Sequence, residues 1–266
     1  MATDSPHLLP LSEPLNGKTL ITKACHLYKI SLLRVLPIIL VIVLMISFMR
    51  LGVYFLSPEY HKMFYKSSFV LILFILPLCG MMFVVMNDIA QGKKIALTDH
   101  FANLLDRFLS LMGSMISVLL LPAVMFGIGV VGYLFAGMHH LSPMLLLGWK
   151  VFIEVVIWAL IIPKLFSPIL VFTDHLDANT SVDASAKLVK GHYWRTFVYS
   201  GYGVLLLILI AGIPMLMNLY AHSIYQMAPM LAWEALVCAL LVTLAPWTFA
   251  LLLVQQYDLQ MRKQGV

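Results

Sequence analysis

The sequence predicts an all-α membrane protein: a polytopic helical bundle of six transmembrane helices with two or three interfacial amphipathic helices. Of its 266 residues, 62% are hydrophobic and 11% are charged, whereas charged residues make up about 25% of soluble domains. The mean hydropathy is +0.95. The apolar residues form continuous runs as long as a membrane-crossing helix and lack the alternation of barrel strands. We therefore expect lipid to cover much of the surface.

Six apolar runs are the predicted transmembrane helices. Together they occupy most of the 266 residues, so they leave no room for a separate soluble catalytic domain. In chain order the runs are Val35–Ser57, Phe69–Asn87, Leu111–Ala136, Leu145–Phe172, Phe197–Tyr220 and Leu231–Gln255.

Basic residues are distributed asymmetrically over this topology. Twelve of the 17 Lys and Arg residues fall on the side that holds both termini, which the positive-inside rule assigns to the cytoplasm. The chain is thus divided into a cytoplasmic segment 1–34, a membrane domain 35–255 and a cytoplasmic tail 256–266. The net charge of +5 reflects this bias and is available to anionic lipid headgroups. No nucleic-acid partner is expected.

The N-terminal segment is predicted to carry the first amphipathic helix, Thr19–Arg34. Leu20, Ala24, Leu27 and Tyr28 share one face of this helix, and Lys23 lies off it. Residues 1–15 contain no basic region followed by an apolar core, so they do not form a cleavable signal peptide. The first span is expected to act as an uncleaved signal anchor.

The loop after the second span is predicted to hold a second amphipathic helix, Leu97–Phe108. Its apolar side chains recur at helical spacing, and Thr98 precedes them as a cap. The basic residues of this loop are Lys93, Lys94 and Arg107. We expect these three cations to contact lipid headgroups.

The loop after the fourth span contains the basic and aromatic stretch "SAKLVKGHYWRTF". We predict one helix from Asp177 to Phe197. Its apolar stripe consists of Val182, Ala186, Val189, Tyr193 and Phe197.

On one flank of this stripe lie Asp183, Lys187, Lys190 and Trp194, with Arg195 opposite. A helix with lysines and an interfacial aromatic residue beside an apolar stripe is typical of the headgroup layer. Two interpretations stay open: the helix recognises a lipid headgroup, or it anchors the loop and packs beneath the bundle.

Polar residues inside the spans are costly and merit a functional hypothesis. Arg50 lies towards the outer end of the first span, from which its side chain can reach the interface. Lys150 and Glu154 are four residues apart and share a helix face, either as a stabilising pair or as an ion or substrate site. Asn218 of the fifth span could meet Glu154.

The sequence contains no recognisable catalytic or metal-binding motif. A nucleophile elbow, HExxH, a Walker loop and GxGxxG are all lacking. Cys25, Cys79 and Cys238 have no metal-ligand spacing. We therefore predict that the protein is not an enzyme and that it has neither a metal nor a cofactor.

The six-span layout and the stretch "SPILVFTDHLDANTSVDASAKLVKGHYWRTF" resemble the YciC-type family of bacterial inner-membrane proteins. They are also similar to the membrane domain of some glycerophosphodiester phosphodiesterases. "AQGKKIALTD", with Gly92, resembles the family's loop after the second span. The resemblance implies a multi-pass protein of the bacterial inner (plasma) membrane and supplies no catalytic residues. The matching positions are Ala184, Ala186 (commonly Ser in the family), Leu188, Gly191, Trp194 and Arg195.

Three functional hypotheses follow. The leading one is a non-enzymatic membrane protein that binds anionic lipid or a membrane-protein partner through its cytoplasmic interfacial helices. The alternative is a small transporter with a polar site between the spans, since the proline-interrupted second and fourth spans are typical of a midplane site. The third, a lipid-modifying enzyme, would need clustered acids or histidines.

Overall fold

A computed structural model describes residues 8–9, 11, 13–55, 75, 77–93, 97–138, 143–202 and 227–264. These residues form helices and contain no β-strand, which confirms the all-α prediction. The elements are α1 (Gly17–Phe55), α2 (Pro77–Ala90), α3 (Leu97–Met138), α4 (Pro143–Ile161), a 3-10 turn (Ile162–Lys164), α5 (Ser167–Thr173), α6 (Ala178–Val189), α7 (193–202) and α8 (Met227–Gln264).

Four helical stretches in the described part of the chain are long and apolar enough to cross a membrane. They overlap the predicted first, third, fourth and sixth spans. The predicted second and fifth spans lie partly outside the described residues, and α2 is apolar but shorter. The four stretches are Gly17–Phe48, Leu105–Gly129, Val155–Thr173 and Cys238–Gln264.

The chain divides into two compact units. The first contains the described residues up to Leu105 and those from Val198 onward, and the second is Asp106–Phe197. Each unit is built around a pair of antiparallel helical segments.

In the first unit, α1 packs along α8 in the antiparallel direction. Ser47 Oγ lies 3.0 Å from Cys238 Sγ near one end of the pair. At the other end the backbone N–H of Leu15 donates to Asp258 Oδ1 at 2.7 Å. The described N-terminal and C-terminal residues therefore lie at the same end of this helix pair.

The predicted N-terminal amphipathic helix is part of α1 and continues into the first span without interruption. Leu20, Ala24 and Leu27 of its predicted apolar face are buried inside the protein and Tyr28 is half-buried, and the structure describes no separate interfacial helix at residues 19–34. Packing against a neighbouring helix removes this face from water as effectively as lipid would. The buried residues of this stretch are Leu20, Ala24, Leu27, Ser31 and Val35.

Leucines of the segment before α1 are also buried. Leu9, Leu11 and Leu15 are 1–4% exposed. The backbone N–H groups of Leu8 and Leu9 both donate to the carbonyl oxygen of Ala90, at 3.0 and 3.1 Å. This carbonyl is at the end of α2 and lacks a helical partner. The segment thus caps α2 and closes one end of the first unit.

The second unit is a hairpin of α3 against α4 and α5. Toward the end of α3 and near the start of α4, Trp149 Nε1 donates to the carbonyl of Gly129 at 3.0 Å. Nearer the start of α3, Ser114 Oγ lies 2.6 Å from Ser167 Oγ. The segment Leu97–Phe108, predicted as a separate amphipathic helix, forms the first turns of α3.

α6 folds back onto α5 and the 3-10 turn before it through serines. Ser167 Oγ lies 2.9 Å from Ser181 Oγ. Ser185 Oγ donates to the carbonyl of Pro163 at 2.9 Å. These serines are fully buried. Small side chains let helices approach closely, and their hydroxyls bond across the contact.

The predicted helix from Asp177 to Phe197 is two helices. α6 ends at Val189, and Gly191 has φ of 89°, a conformation that glycine adopts without the penalty of a side chain. The buried face of α6 is also shifted from the predicted stripe, because Ser181 and Ser185 face the interior while Val182 and Ala186 are only half-buried, and Val189 alone of the stripe within α6 is buried. The buried residues are Ser181, Ser185, Leu188 and Val189.

Two glycines of α3 provide a test of the hairpin packing. A Cβ on Gly129 would lie 2.8 Å from Ile153 Cγ2, whereas a Cβ on Gly127 would meet nothing within 4 Å. We expect Gly129→Ala to cost about 1–3 kcal/mol through overpacking, and Gly127→Ala to gain about 0.5–1 kcal/mol in helix propensity. Thermal unfolding of the two purified variants in detergent measures the difference. An equal response of both would contradict this packing.

Candidate functional site

The junction of α6 and α7 carries two exposed lysines. Lys187 lies in the last turn of α6, where a cation is favoured by the helix dipole. The N–H of Lys190 donates to the carbonyl of Ala186 at 3.0 Å, and the N–H of His192 to that of Val189 at 2.9 Å. These bonds hold the turn at Gly191 closed. Lys187 and Lys190 are both exposed, with no acidic partner among the described residues.

Trp194 lies in the first turn of α7 and is 73% exposed. Its ring meets those of Tyr193 and Phe197 edge-on, with centroids 5.6 and 5.8 Å away. Tyr193 donates its hydroxyl hydrogen to the carbonyl of Ala159 at 3.0 Å. The exposed indole is therefore held by an aromatic cluster that is itself tied to α4.

We call Lys187, Lys190 and Trp194 the interfacial surface. The exposed face continues along α7 at a spacing of four residues to Val198 and Tyr202. Exposed lysines beside an exposed tryptophan fit a bilayer interface, where the ring sits at headgroup level and the ammonium groups meet phosphate.

The two predicted arginines are placed differently from these lysines. Arg107 Nη1 donates to the carbonyl of His175 at 3.0 Å. His175 has φ of 54°, so this bond supports a left-handed residue in the loop between α5 and α6. Arg195 is half-buried and already has an interaction partner. Both arginines hold the protein's own backbone or side chains, which distinguishes them from the exposed lysines.

The loop after α2 contributes one described lysine. Lys93 is exposed, and its Nζ lies 3.9 Å from Asp88 Oδ1. Asp88 is buried whereas Lys93 is exposed, and 3.9 Å is too long for a hydrogen bond between them. Lys94 lies outside the described residues.

The predicted intramembrane polar residues are not brought together by any described contact. Arg50 belongs to α1, and Lys150 and Glu154 belong to α4, but their side chains lie outside the described part of the structure. Asn218 also lies outside it. The Lys150–Glu154 pair therefore stays a prediction. Among the described residues, no group of three or more His, Cys, Asp or Glu side chains could hold a metal.

No protein-family model matches this chain, and neither a curated protein nor a solved structure does. The resemblance to the YciC-type family therefore stays a prediction that rests on the stretch 184–195.

A charged cluster that the sequence patterns missed joins the two ends of the chain. Asp258 is fully buried. Its Oδ1 accepts the N–H of Leu15 at 2.7 Å, and its Oδ2 accepts Arg262 Nε at 3.2 Å. Arg262 Nη2 also donates to the carbonyl of Leu15 at 2.5 Å. We call these three residues the terminal clasp. The sequence signal for this cluster was the four-residue spacing of Asp258 and Arg262, since two residues four apart share a helix face.

A ring of polar side chains ties α2 to α8. Tyr257 donates its hydroxyl hydrogen to Asn87 Oδ1 at 2.8 Å. Gln91 Nε2 donates to Tyr257 Oη at 2.8 Å and to Asn87 Oδ1 at 3.3 Å. Farther along, the rings of Phe83 and Phe249 lie 4.5 Å apart. These contacts run in the same order along both helices, so α2 and α8 are parallel.

Proposed function

We propose that this protein is a non-enzymatic, multi-pass protein of the bacterial inner membrane that binds anionic lipid through the interfacial surface. The observation that carries the proposal is the exposed indole of Trp194, four residues after Lys190 across the turn at Gly191, together with the exposed Lys187 and Lys190, which have no acidic partner among the described residues. Such a group of side chains is complementary to a lipid phosphate and to the glycerol layer beneath it.

Long exposed apolar faces support the membrane part of this proposal. Soluble monomers rarely expose apolar patches larger than a few hundred Å². The exposed apolar residues of α3 recur mostly every three or four positions, as expected for a lipid-facing stripe. They include Ile116, Leu120, Val124, Ile128 and Val131.

The directions of three helices support six spans with both termini on one side. In that topology the first span runs outward, and the second and sixth run inward. The antiparallel pairing of α1 with α8 and the parallel pairing of α2 with α8 agree with these directions. With the basic residues concentrated at the same end, the positive-inside rule assigns that end to the cytoplasm.

Lipid titration tests the proposed function. A basic residue near an anionic membrane surface contributes about 1 kcal/mol, so Lys187→Glu with Lys190→Glu should weaken binding of phosphatidylglycerol by at least about 10-fold. Binding of phosphatidylcholine should change much less. Microscale thermophoresis of the full chain in detergent, titrated with each lipid, measures both affinities.

The matched control reverses two other exposed lysines. Lys18→Glu with Lys29→Glu changes the net charge equally, and both side chains are exposed on α1. An equal loss in the two double variants would show that only overall charge matters and would refute a specific surface. Unchanged phosphatidylglycerol binding in the Lys187 and Lys190 variant would refute it as well.

A further inference from the structure

Lys164 is a half-buried cation inside an apolar candidate span. It ends the 3-10 turn between α4 and α5 and lies within the stretch Val155–Thr173. Its Nζ donates to the carbonyl oxygen of Ser117 at 2.9 Å. No carboxylate pairs with Lys164 among the described residues. An ammonium group has three donors, so two of them remain for another acceptor.

One face of α3 is packed against other helices up to Ser117 and is exposed after it. Before it, Gly113 packs so closely that an added Cβ would lie 2.9 Å from Ala178 Cβ, and Ser114 bonds to Ser167. After it, side chains three, four and seven positions along the same face are exposed. These exposed residues are Leu120, Leu121 and Val124.

The Lys164 ammonium group therefore lies at one end of an exposed apolar strip on α3. We call Ser117, Lys164, Leu120, Leu121 and Val124 the Lys164 ledge. The half-buried hydroxyl of Ser117 has no hydrogen-bond partner in the described part of the chain and is a further donor beside the ammonium group.

The position of the ledge along α3 agrees with the level of lipid headgroups. From Ser117 to the helix end at Met138 there are 21 residues, or about 32 Å at 1.5 Å per residue. This is about the thickness of a hydrocarbon core. If Met138 lies at the outer boundary, as the proposed topology requires, Ser117 and Lys164 lie at the inner one. The apolar residues of the stretch Val155–Thr173 that follow Lys164, from Phe166 to Phe172, are buried in the protein and need no lipid around them.

We propose that the Lys164 ledge binds one inner-leaflet phospholipid. The phosphate accepts hydrogen bonds from the Lys164 ammonium group and the Ser117 hydroxyl, and an acyl chain lies on Leu120, Leu121 and Val124. A phosphate neutralises the unpaired cation, and hydrogen bonds between charged partners are about twice as strong as neutral ones. This site rests on the proposed membrane topology, but it uses none of the residues of the interfacial surface.

Native mass spectrometry of the detergent-solubilised full chain tests the proposal by counting retained phospholipid. We expect Lys164→Gln to reduce phospholipid retention at least 10-fold and Lys164→Arg to preserve it. Lys187→Gln with Lys190→Gln should leave this lipid in place. That last variant separates the two proposals, because loss of the interfacial surface would not empty the ledge.

A second pair of variants tests the apolar strip independently of the lysine. Leu120→Trp would cover the strip and should displace the lipid, whereas Leu109→Trp, at an 82% exposed position of α3, should not. If Lys164→Gln fails to fold, this pair decides the outcome.

Two results would overturn the site. One is a folded Lys164→Gln protein that retains phospholipid as the unmodified chain does, which would make Lys164 only a donor to Ser117. The other is tighter retention of palmitate than of phospholipid, which would exclude recognition of a phosphate.

Discussion

Replacing Asp258 with alanine is expected to lower the free energy of unfolding by about 3–5 kcal/mol, the usual cost of removing one partner of a buried ion pair. The carboxylate is fully buried and accepts from both the Leu15 N–H and Arg262 Nε. Alanine leaves the guanidinium without its counterion and the N–H of Leu15 without an acceptor. The N-terminal segment would then lose its link to α8.

Asp258→Asn separates the two contributions. The amide oxygen can still accept the Leu15 N–H, so this variant should lose only the part due to charge pairing and be less destabilised than Asp258→Ala. Asp183→Ala, at an exposed position of α6, is the control and should change stability by less than about 0.5 kcal/mol. Thermal unfolding in detergent compares the three. A similar melting temperature for Asp258→Ala and Asp183→Ala would disprove the role of the terminal clasp.

Replacing Ser167 with valine is expected to destabilise the second unit by about 2–4 kcal/mol. Ser167 lies between Ser114 and Ser181, at 2.6 and 2.9 Å, and all three are fully buried. Valine removes both hydrogen bonds and leaves the hydroxyl of Ser114 unpaired, which costs about 1–3 kcal/mol. The extra volume adds an overpacking penalty of similar size.

Thr180→Val is the matched control for this prediction. It also exchanges a hydroxyl for a methyl group, but Thr180 is exposed and bonds only to the carbonyl of Asp177. Hydrogen exchange of residues 106–197 in detergent should rise strongly in Ser167→Val and change little in Thr180→Val. Equal protection in both variants would mean that the buried serines do not hold α3, α5 and α6 together.

Local patterns were sufficient for the class of protein and for the helices. A long apolar run predicts a helix of membrane-crossing length without knowledge of the rest of the fold, because the transfer of each side chain from water to lipid depends mainly on that side chain. Leu20, Ala24 and Leu27 of the predicted N-terminal face lie on one buried side of α1, since residues three and four apart share one side of a helix, whereas Tyr28 is half-buried. The exposure of Lys187, Lys190 and Trp194 agrees with their place beside the predicted stripe.

The buried polar contacts depend instead on the folded arrangement. A hydropathy pattern treats Ser181 and Ser185 as solvent-facing and therefore misplaced the buried face of α6. Their hydroxyls bond to Ser167 and to the carbonyl of Pro163, which the pattern does not represent. The break at Gly191 was hidden for a similar reason, because glycine is compatible with a helix as well as with a left-handed turn.

Each apolar side chain is stabilised independently when it leaves water. The spacing of apolar residues along the chain is therefore enough to predict a membrane protein and the apolar faces of its helices. A buried charge or hydroxyl is stable only beside its partner. For Asp258 that partner is Leu15, 243 residues away, and for Lys164 it is Ser117, 47 residues away. Only packing of the helices against one another brings such groups within hydrogen-bond distance.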